Sequence, residues 1–265
     1  MWSSEQVRPG IWIGFTDTTA GNLAFHVGDD ARNVAERRAA VEARLAHHAG
    51  TPAGSAPVLA YMNQVHGAEV AIISPGEAVA TGESAPTVDA MVTSPGIGSG
   101  SGLAVMVADC VPVVLVGDLP SGRSIVAVAH AGRPGVEKEV ISAVMEQMRL
   151  EGAVAYEAWL GPSVCGSCYE VPETMRAAVA EVVPAAYSTT SWGTPALDLP
   201  AAVMEQLAAN GATAHASGVC TLEDSRYFSH RRSQRDGESE GRFIGFVTSQ
   251  PGSHHQQPNE SNHTQ

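Results

Sequence analysis

Short apolar runs alternate along the chain with stretches whose apolar residues recur every three to four positions. The short runs predict strands, and the recurring stripes predict helices. The predicted strands are IWIGF, APVLAYMNQVHG, AEVAIIS, VDAMVTS, GLAVMVADCVPVVLVGD, RSIVAVAH, AWLG and GRFIGFV. This alternation predicts one α/β domain over residues 1–248, with a mixed β-sheet core flanked by helices. Residues 249–265 have no apolar periodicity, and we expect a disordered C-terminal tail there.

The first predicted helix, DDARNVAERRAAVEARLAHHAG, has both a start and a stop signal. Asp29 or Asp30 caps its N-terminus, and Gly50 ends it. Its apolar face comprises Val34, Val41 and Leu45. Arg38 stands four residues after Val34 and therefore falls on the same face. We expect Arg38 to point inward, toward a carboxylate or a ligand anion, unless its guanidinium reaches the rim of the core.

Two of the buried runs contain polar residues. GLAVMVADCVPVVLVGD is apolar on both alternating faces, which predicts a central strand covered on each side, yet Asp109 and Cys110 interrupt it. The run RSIVAVAHAG leads through a glycine turn into a helix, so His130 lies at the hinge of a βα unit. The stripe of that helix comprises Val136, Val140, Val144 and Met148. A later helix is capped by Asp198 and closed by Gly211.

Composition favours a small-molecule partner. The chain has 265 residues, 44% of them hydrophobic and only 5% aromatic. Its formal net charge is -13, which opposes binding to nucleic acid or to an anionic membrane. The N-terminus lacks a basic segment followed by an apolar stretch, and the apolar runs are too short to cross a bilayer. We therefore expect a cytoplasmic protein.

The cysteines do not make a disulfide scaffold. Four thiols in a chain of this length, without a signal peptide, are expected to be free or to bind ligands. Cys165 and Cys168 form a C-x-x-C pair in a glycine-rich loop. A four-ligand zinc site would need a second pair, so packing or loop rigidity is the default interpretation of this motif.

Three polar interruptions of apolar segments recur in the chain. They are His66 in QVHG, Cys110 in ADCVP and His130 in AHAG. If their strand ends meet on one side of a sheet, two imidazoles and a thiolate form a zinc ligand set with one position left open, which is typical of a catalytic site. Taken singly, each residue has a plainer interpretation as a buried thiol or a hydrogen-bonded histidine.

These segments carry a family resemblance. The chain resembles the YfiH family, also called the laccase-domain or multicopper polyphenol oxidase-like family. The matching segments are NLAFHVGDD, NQVHGAEV, VDAMVT, VMVADCVPVVL, VAVAHAGRPG, WLGPSVCGSCYEV, SGVCT and YFSHRR with GRFIGFV. The resemblance implies a three-layer α/β fold, a monomer or small homo-oligomer, and a transition metal on His66, Cys110 and His130, with zinc expected and copper possible.

The resemblance also implies an activity on purine nucleosides. It implies phosphorolysis of adenosine, inosine and methylthioadenosine, and deamination of adenosine. Purine nucleosides and phosphate are then the expected partners, and Cys110 and His130 belong to the catalytic group. Phosphorolysis needs cations around phosphate, and the expected ones are Arg38, Arg231 and Arg232. The segment RRSQR is a local positive cluster, which a solvated hairpin loop would also explain.

Two departures from the family pattern bear on the substrate. The usual H-A-G-W-R-G is here HAGRPG, so Arg133 takes the aromatic position and Pro134 replaces the arginine. The early loop is shortened to TDTTAGN and loses an arginine. Substrate preference is therefore expected to differ within the family.

Deamination would need zinc to activate water and a carboxylate to move the proton. Asp109 is the nearest candidate in sequence. Strict strand alternation points it away from Cys110, so it either supports a ligand or caps the turn at Pro112. Asp89 in VDAMVT is a similar candidate, with capping of the strand entry as its plainer interpretation.

Several alternatives remain at this point. A copper polyphenol oxidase would need a multinuclear site rich in His-x-His pairs, and the chain has none. A metal-free hydrolase would use Cys110 as nucleophile and His130 as base, without requiring His66. Editing of peptidoglycan precursors is compatible with the same residues. A binding module with a structural metal would need four protein ligands, and only three were found.

Overall fold

The computed structural model describes residues 2–48, 57–74, 84–93 and 101–249. The strands are β1 Ser3–Arg8, β2 Ile11–Phe15, β3 Val58–Ala60, β4 Val70–Ile73, β5 Ala90–Thr93, β6 Ser101–Val107, β7 Val111–Asp118, β8 Ser124–Ala131, β9 Ala155–Leu160, β10 Tyr187–Thr189, β11 Pro195–Leu197, β12 Thr213–Ala216 and β13 Phe243–Ser249. The helices are α1 Ala31–His48, α2 Arg133–Glu137, α3 Val140–Leu150, α4 Glu173–Val182, α5 Leu199–Ala209 and α6 His230–Asp236.

The strands form two large mixed sheets and a short ribbon. The five-stranded sheet has the order β1-β2-β13-β6-β3, with only β3 parallel to its neighbour. The six-stranded sheet has the order β12-β9-β7-β8-β5-β4, with parallel pairs at both edges. Strands β10 and β11 pair separately. The predicted α/β class with mixed sheets and helices is confirmed.

Helices cover the outer faces of both sheets, and the inner faces pack on each other. Valines of β6 and β7 meet Phe243 in the core between the sheets. The outer face of the five-stranded sheet lies under α1 through Val41 and Leu45. Helices α2 to α5 cover the six-stranded sheet. The second sheet adds a layer to the three that the family resemblance implies.

The run at residues 102–118 is not one central strand. Strand β6 belongs to the five-stranded sheet and β7 to the six-stranded sheet, so the chain passes between the sheets at residues 108–110. Asp109 has a φ of 82°, a left-handed conformation that no strand allows. The expectation of strict alternation at Asp109 and Cys110 was therefore wrong, because these residues form the crossing.

Helix boundaries follow the capping signals closely. The Asp30 carboxylate accepts hydrogen bonds from the backbone N–H groups of Arg32 and Asn33, which identifies it as the cap of α1. Gly50 lies outside the described residues. The Asp198 carboxylate caps α5 through the N–H of Ala201. The predicted helix after HAG is divided into α2 and α3, because Glu139 adopts a left-handed φ of 59°.

The segment RRSQR and the C-terminal tail are the two remaining parts of the chain for which the sequence made a prediction. RRSQR lies in α6 and not in a hairpin loop, because the Ser229 hydroxyl caps this helix. Strand β13 includes Ser249, the first residue of the predicted tail, and residues 250–265 lie outside the described residues. Within the described parts of the chain, no helix combines the length and apolarity needed to cross a membrane.

Sheet topology brings several loops to one end of the molecule. In the antiparallel pair β7 and β8, Pro112 near the start of β7 faces His130 near the end of β8. Ala90 at the start of β5 faces Ala129, so Asp89 is adjacent to His130. Strand β4 runs parallel to β5 from the same end, which places the loop around His66 there too.

Candidate metal centre and active cavity

His66, Cys110 and His130 lie together, as their interrupted segments predicted. One ligand atom from each lies within 4.8 Å of the others. The Cys110 Sγ atom is 3.7 Å from His66 Nε2, and the two imidazole ring centroids are 4.6 Å apart. His130 is buried, Cys110 is partly buried and His66 is exposed. The group therefore has a buried side and a side open to solvent.

Asp89 fixes the position of both histidines. Its Oδ1 atom lies 2.8 Å from His130 Nδ1 and accepts a hydrogen bond from the backbone N–H of His66. Its Oδ2 atom accepts from the N–H groups of Val65 and Gly67. These bonds hold His66 in a left-handed conformation, with a φ of 57°. Because Nδ1 of His130 is engaged, Nε2 is the nitrogen left for a ligand.

The charges of this group depend on one another. Burial alone raises the pKa of Cys110, but His130 and His66 lower it to about 6. Burial alone lowers the pKa of His130, but Cys110 and Asp89 raise it to about 9. Burial also opposes ionisation of Asp89, while hydrogen bonds from His130 and the backbone bring its pKa to about 2. A thiolate and a carboxylate therefore lie on either side of the His130 ring, an environment that favours a cation.

The three side chains fit a zinc ion. With Zn–S near 2.3 Å and Zn–N near 2.0–2.1 Å, sulfur and nitrogen ligands of a tetrahedral ion lie about 3.6 Å apart. The separation of 3.7 Å between Cys110 Sγ and His66 Nε2 agrees with this value. Two imidazoles and one thiolate also suit copper. Three protein ligands leave a coordination position for a substrate.

The glycine at position 132 keeps this space free. A Cβ atom built on Gly132 would lie 2.5 Å from His66 Cδ2 and 3.0 Å from Cys110 Sγ. Neither contact can relax without moving a ligand. Within HAGRPG, the second residue after His130 therefore has to be glycine for the group to keep its arrangement.

Replacing Gly132 with alanine is expected to weaken metal binding while leaving the fold intact. Overpacking of this kind costs about 1–3 kcal/mol, equivalent to about 5- to 150-fold in affinity. Zinc affinity, measured by chelator competition, checks this. Gly122→Ala is the control: its φ of 78° makes alanine strained there, but nothing lies near its Cβ position, so no metal-binding side chain is displaced. Equal loss of affinity in both variants would contradict a steric effect at the ligands.

A cavity of about 410 Å³ adjoins the three ligands. Its volume is within the range for small-molecule sites. Met106, Val107, Val164 and Leu199 provide apolar wall, and Tyr169 an aromatic ring. Basic side chains also line it: His26, His230, Arg231 and Arg242.

Asp109 lies in the cavity wall but is held by the protein. Its Oδ1 atom accepts a hydrogen bond from the Thr221 hydroxyl, and Oδ2 accepts from the backbone N–H of Arg231. Both oxygens therefore fix the loop and α6 beside His66, Cys110 and His130. This arrangement corresponds to the supporting role that we considered for Asp109, whereas Asp89 supports the two histidines directly.

The expected phosphate-binding arginines occupy three different environments. Arg231 lines the cavity, with its guanidinium 4.3 Å from the centroid of the Tyr169 ring. Arg38 is buried and points inward, but it donates to the Leu23 carbonyl and lies 3.6 Å from the centroid of the Tyr61 ring. Among the described residues that line the cavity, Arg38 is absent, although its neighbour Met106 is present.

The Arg232 side chain is buried and makes hydrogen bonds within the protein. Its guanidinium donates to Glu238 and to the carbonyls of Thr221 and Tyr227, and the residue is 8% exposed. It is also absent from the described cavity lining. Its donors are used inside the protein in this structure, and the phosphate-binding role expected for Arg232 stays a prediction. Arg133, the substituted residue of HAGRPG, pairs with Glu137 on the next turn of α2.

Sequence reasoning missed several lining residues. Arg242 precedes β13 and pairs with Glu240, which also pairs with His230. Gln64 exchanges two hydrogen bonds with the backbone of Met106 and so joins the His66 loop to β6. The only signal for Gln64 was its position in QVHG, and Arg242 had none, because a basic residue before a strand is ordinary.

Comparisons with known proteins identify the family of this chain and agree with its fold. The model of a family described as multi-copper polyphenol oxidoreductase laccase matches residues 14–250. A protein of Streptomyces griseus named purine nucleoside phosphorylase is 44% identical over 241 residues, covering 89% of this chain and 90% of that protein.

Solved structures resemble the fold over nearly its whole length. A protein of Neisseria meningitidis has a TM-score of 0.74 at 26% identity, covering 94% of this chain and 99% of that chain. The YfiH protein of Bacillus licheniformis has a TM-score of 0.73 at 23% identity, covering 93% and 99%, which shows the fold alone. The family resemblance drawn from the motifs is confirmed.

Proposed function

We propose a function from one premise: the chain belongs to the multi-copper polyphenol oxidoreductase laccase family. Relatives in several bacteria are named purine nucleoside phosphorylases. We infer that this chain is a metal-dependent purine nucleoside phosphorylase. Its expected substrates are inosine, adenosine and methylthioadenosine, with phosphate as the second substrate and zinc as the metal.

One observation carries this proposal. The group His66, Cys110 and His130 lies in the wall of a cavity that Arg231 and Arg242 also line. A nucleoside needs apolar wall for its base, and phosphate needs fixed cations. Both are present within one cavity. When bound, the zinc ion supplies a Lewis acid beside the reacting groups.

The residues of the chain would bind and orient the two substrates. Arg231 and Arg242 balance the charge of phosphate, so that one of its oxygens can approach the ribose C1′ atom as the base departs. Tyr169 holds the Arg231 guanidinium against its ring, and Glu240 holds Arg242. Asp109 keeps the backbone of Arg231 in place.

Replacing Arg231 with methionine is expected to raise the KM for phosphate about 10- to 100-fold. Loss of one charge-assisted hydrogen bond costs about 1.5–3 kcal/mol. The backbone bond from residue 231 to Asp109 remains in this variant, so metal content is expected to stay unchanged. Phosphate saturation curves at a fixed inosine concentration check the prediction.

Arg226→Met is the matched control for that variant. Arg226 is exposed and pairs with Asp224, so its loss is expected to leave phosphate saturation unaltered. If Arg231→Met keeps the wild-type KM for phosphate, the phosphate site does not include Arg231.

Adenosine deamination belongs to the proposal as a second reaction at the same site. Asp109 is the acidic residue in the described cavity lining, although both of its oxygens already accept hydrogen bonds. Chromatography of adenosine reactions with and without phosphate tests both activities. Adenine that forms only with phosphate supports phosphorolysis, and inosine that forms without phosphate supports deamination. No product from adenosine under either condition would contradict the proposed function.

A metal-free Cys/His hydrolase is the second candidate, because Cys110, His130 and Asp89 form a chain of contacts. In that mechanism Cys110 is the nucleophile, His130 the base and Asp89 the orienting group. His66 distinguishes the two proposals. A His66→Ala variant that loses its metal and its activity supports the phosphorylase, whereas one that keeps its activity without metal supports the hydrolase.

A further inference from the structure

The structure places a second pair of potential ligands beside the C-x-x-C pair Cys165 and Cys168. Cys165, Cys168, Cys220 and Glu223 each provide one ligand atom, and these atoms lie within 4.8 Å of one another. All four cysteines of the chain are in the described residues and are free thiols. This cluster is separate from the ligands His66, Cys110 and His130, and the proposed function does not use it.

Two similar turns form the cluster. The Cys165 carbonyl accepts hydrogen bonds from the N–H groups of Cys168 and Tyr169, which brings the pair of thiols to one side of a turn. The Cys220 carbonyl accepts from the N–H groups of Glu223 and Asp224 in the same manner. Each turn therefore presents two ligands at a spacing of three residues, as in zinc sites built from paired C-x-x-C turns.

The two turns are fixed face to face. Ser163 and Cys220 form a parallel bridge, with hydrogen bonds between Ser163 and the backbone of Val219 and Thr221. The backbone N–H of Cys165 also points at the Cys220 Sγ atom, 3.4 Å away. Convergence is thus set by the backbone and does not depend on flexible side chains.

Hydrophobic packing does not explain all four groups. Cys168 and Cys220 are buried among Val164, Leu222 and Tyr169, as small apolar residues would be. The Glu223 carboxylate has no reason to approach three sulfur atoms in that interpretation. If the three thiols ionise beside this carboxylate, a cation between the four groups removes their mutual repulsion.

We propose that Cys165, Cys168, Cys220 and Glu223 bind a structural zinc ion. Thiolates are soft ligands that favour zinc, and four protein ligands close its coordination sphere. Binding converts three thiols to thiolates and releases their protons to the solvent. The ion joins the loop at 161–172 to the loop at 217–224.

These loops carry parts of the cavity. Val164 and Tyr169 are in its wall, and the Thr221 hydroxyl holds Asp109. The structural zinc therefore stabilises one wall of the catalytic cavity from outside. It takes no part in the reaction.

Zinc content of the full-length protein and two variants tests this site. After dialysis against a weak chelator, we expect about two zinc ions per chain in the wild type and about one in each of Cys110→Ala and Cys168→Ala. The Cys110→Ala result separates the two sites, because it reports on the cysteine cluster even if the proposed function is wrong. Wild-type zinc content in Cys168→Ala, or loss of all zinc in Cys110→Ala, would overturn the proposal.

Cobalt provides a spectroscopic test of the ligands. Co²⁺ added to Cys110→Ala is expected to give an intense thiolate-to-metal charge-transfer band, because the remaining site has three thiolates. The band should disappear in the Cys110→Ala and Cys168→Ala double variant. Absence of the band in the first protein contradicts a cysteine-ligated site.

Glu223→Gln tests the same site in a variant that does not alter the buried cysteines. Glu223 is exposed, so its replacement is expected to leave the fold intact and to lower zinc affinity by about tenfold or more. Unchanged affinity would remove Glu223 from the ligand set and count against a closed site. An intact mass two units below that of the reduced chain would reveal a disulfide instead, and would overturn the proposal.

Discussion

Replacing Cys110 with alanine is expected to remove the catalytic metal and to lower kcat/KM for inosine phosphorolysis at least about a thousandfold. Cys110 is the single anionic ligand beside His66 and His130, and without it two neutral imidazoles hold zinc weakly. A loss of this size equals about 4 kcal/mol of transition-state stabilisation. Steady-state kinetics with excess zinc and metal analysis of the same sample check it.

His215→Ala is the control for loss of a metal-binding side chain in general. His215 lies on strand β12, stacks on Trp159 and contacts Glu157. Its removal should leave catalytic metal and kinetics as in the wild type. If Cys110→Ala retains wild-type activity, neither the metal site nor a cysteine nucleophile can account for the reaction.

Replacing Asp89 with asparagine is expected to lower zinc affinity about 10- to 100-fold, the usual effect of losing a group that orients metal ligands. Asparagine keeps one carbonyl oxygen for His130, but its amide would face the N–H groups of Val65 and Gly67 that now donate to Oδ2. The loop carrying His66 must then shift. Lost hydrogen bonds should also lower the free energy of unfolding by about 2 kcal/mol.

Asp118→Asn is the matched control for that variant. Asp118 is the last residue of β7 and lies at the end of the strand away from His130. Its carboxylate accepts hydrogen bonds from Arg8 and Ser124. Chelator competition measures zinc affinity, and denaturation of metal-stripped protein measures stability. We expect a small stability loss and no change in zinc affinity for Asp118→Asn. Equal zinc affinity in both variants would refute the orienting role of Asp89.

Local capping signals predicted where α1 and α5 begin. Asp30, one of the two predicted candidates with Asp29, caps α1, and Asp198 caps α5 as its position before an apolar stripe indicated. Each cap depends on a side chain and the backbone two or three residues away, so the sequence contains the whole interaction. Val136, Val140, Val144 and Met148 are buried as their stripe predicted.

The division of strands between two sheets could not be predicted in the same way. Strands β6 and β7 are both buried, so their apolar composition is alike. What separates them is the crossing at Asp109, whose left-handed conformation is stabilised by distant partners, Thr221 and Arg231. Those contacts exist only after the loops have converged.

The convergence of His66, Cys110 and His130 was predictable because each interrupts an apolar segment and because the three motifs resemble one family. The environments of the arginines could not be predicted in this way. Arg231 and Arg232 are adjacent in sequence, yet helical geometry turns one toward the cavity and the other toward carbonyls of its own loop. Likewise, Cys220 and Glu223 lie beside the CGSC motif only because two loops pair with each other, which the sequence does not indicate.

Anomalous diffraction at the zinc edge tests the central claim most directly, using crystals of protein that catalyses phosphate-dependent cleavage of inosine. We predict a strong peak bonded to His66, Cys110 and His130, with its remaining coordination position facing the cavity between Arg231 and Arg242. An active protein whose map has no metal peak at these three residues would contradict the account.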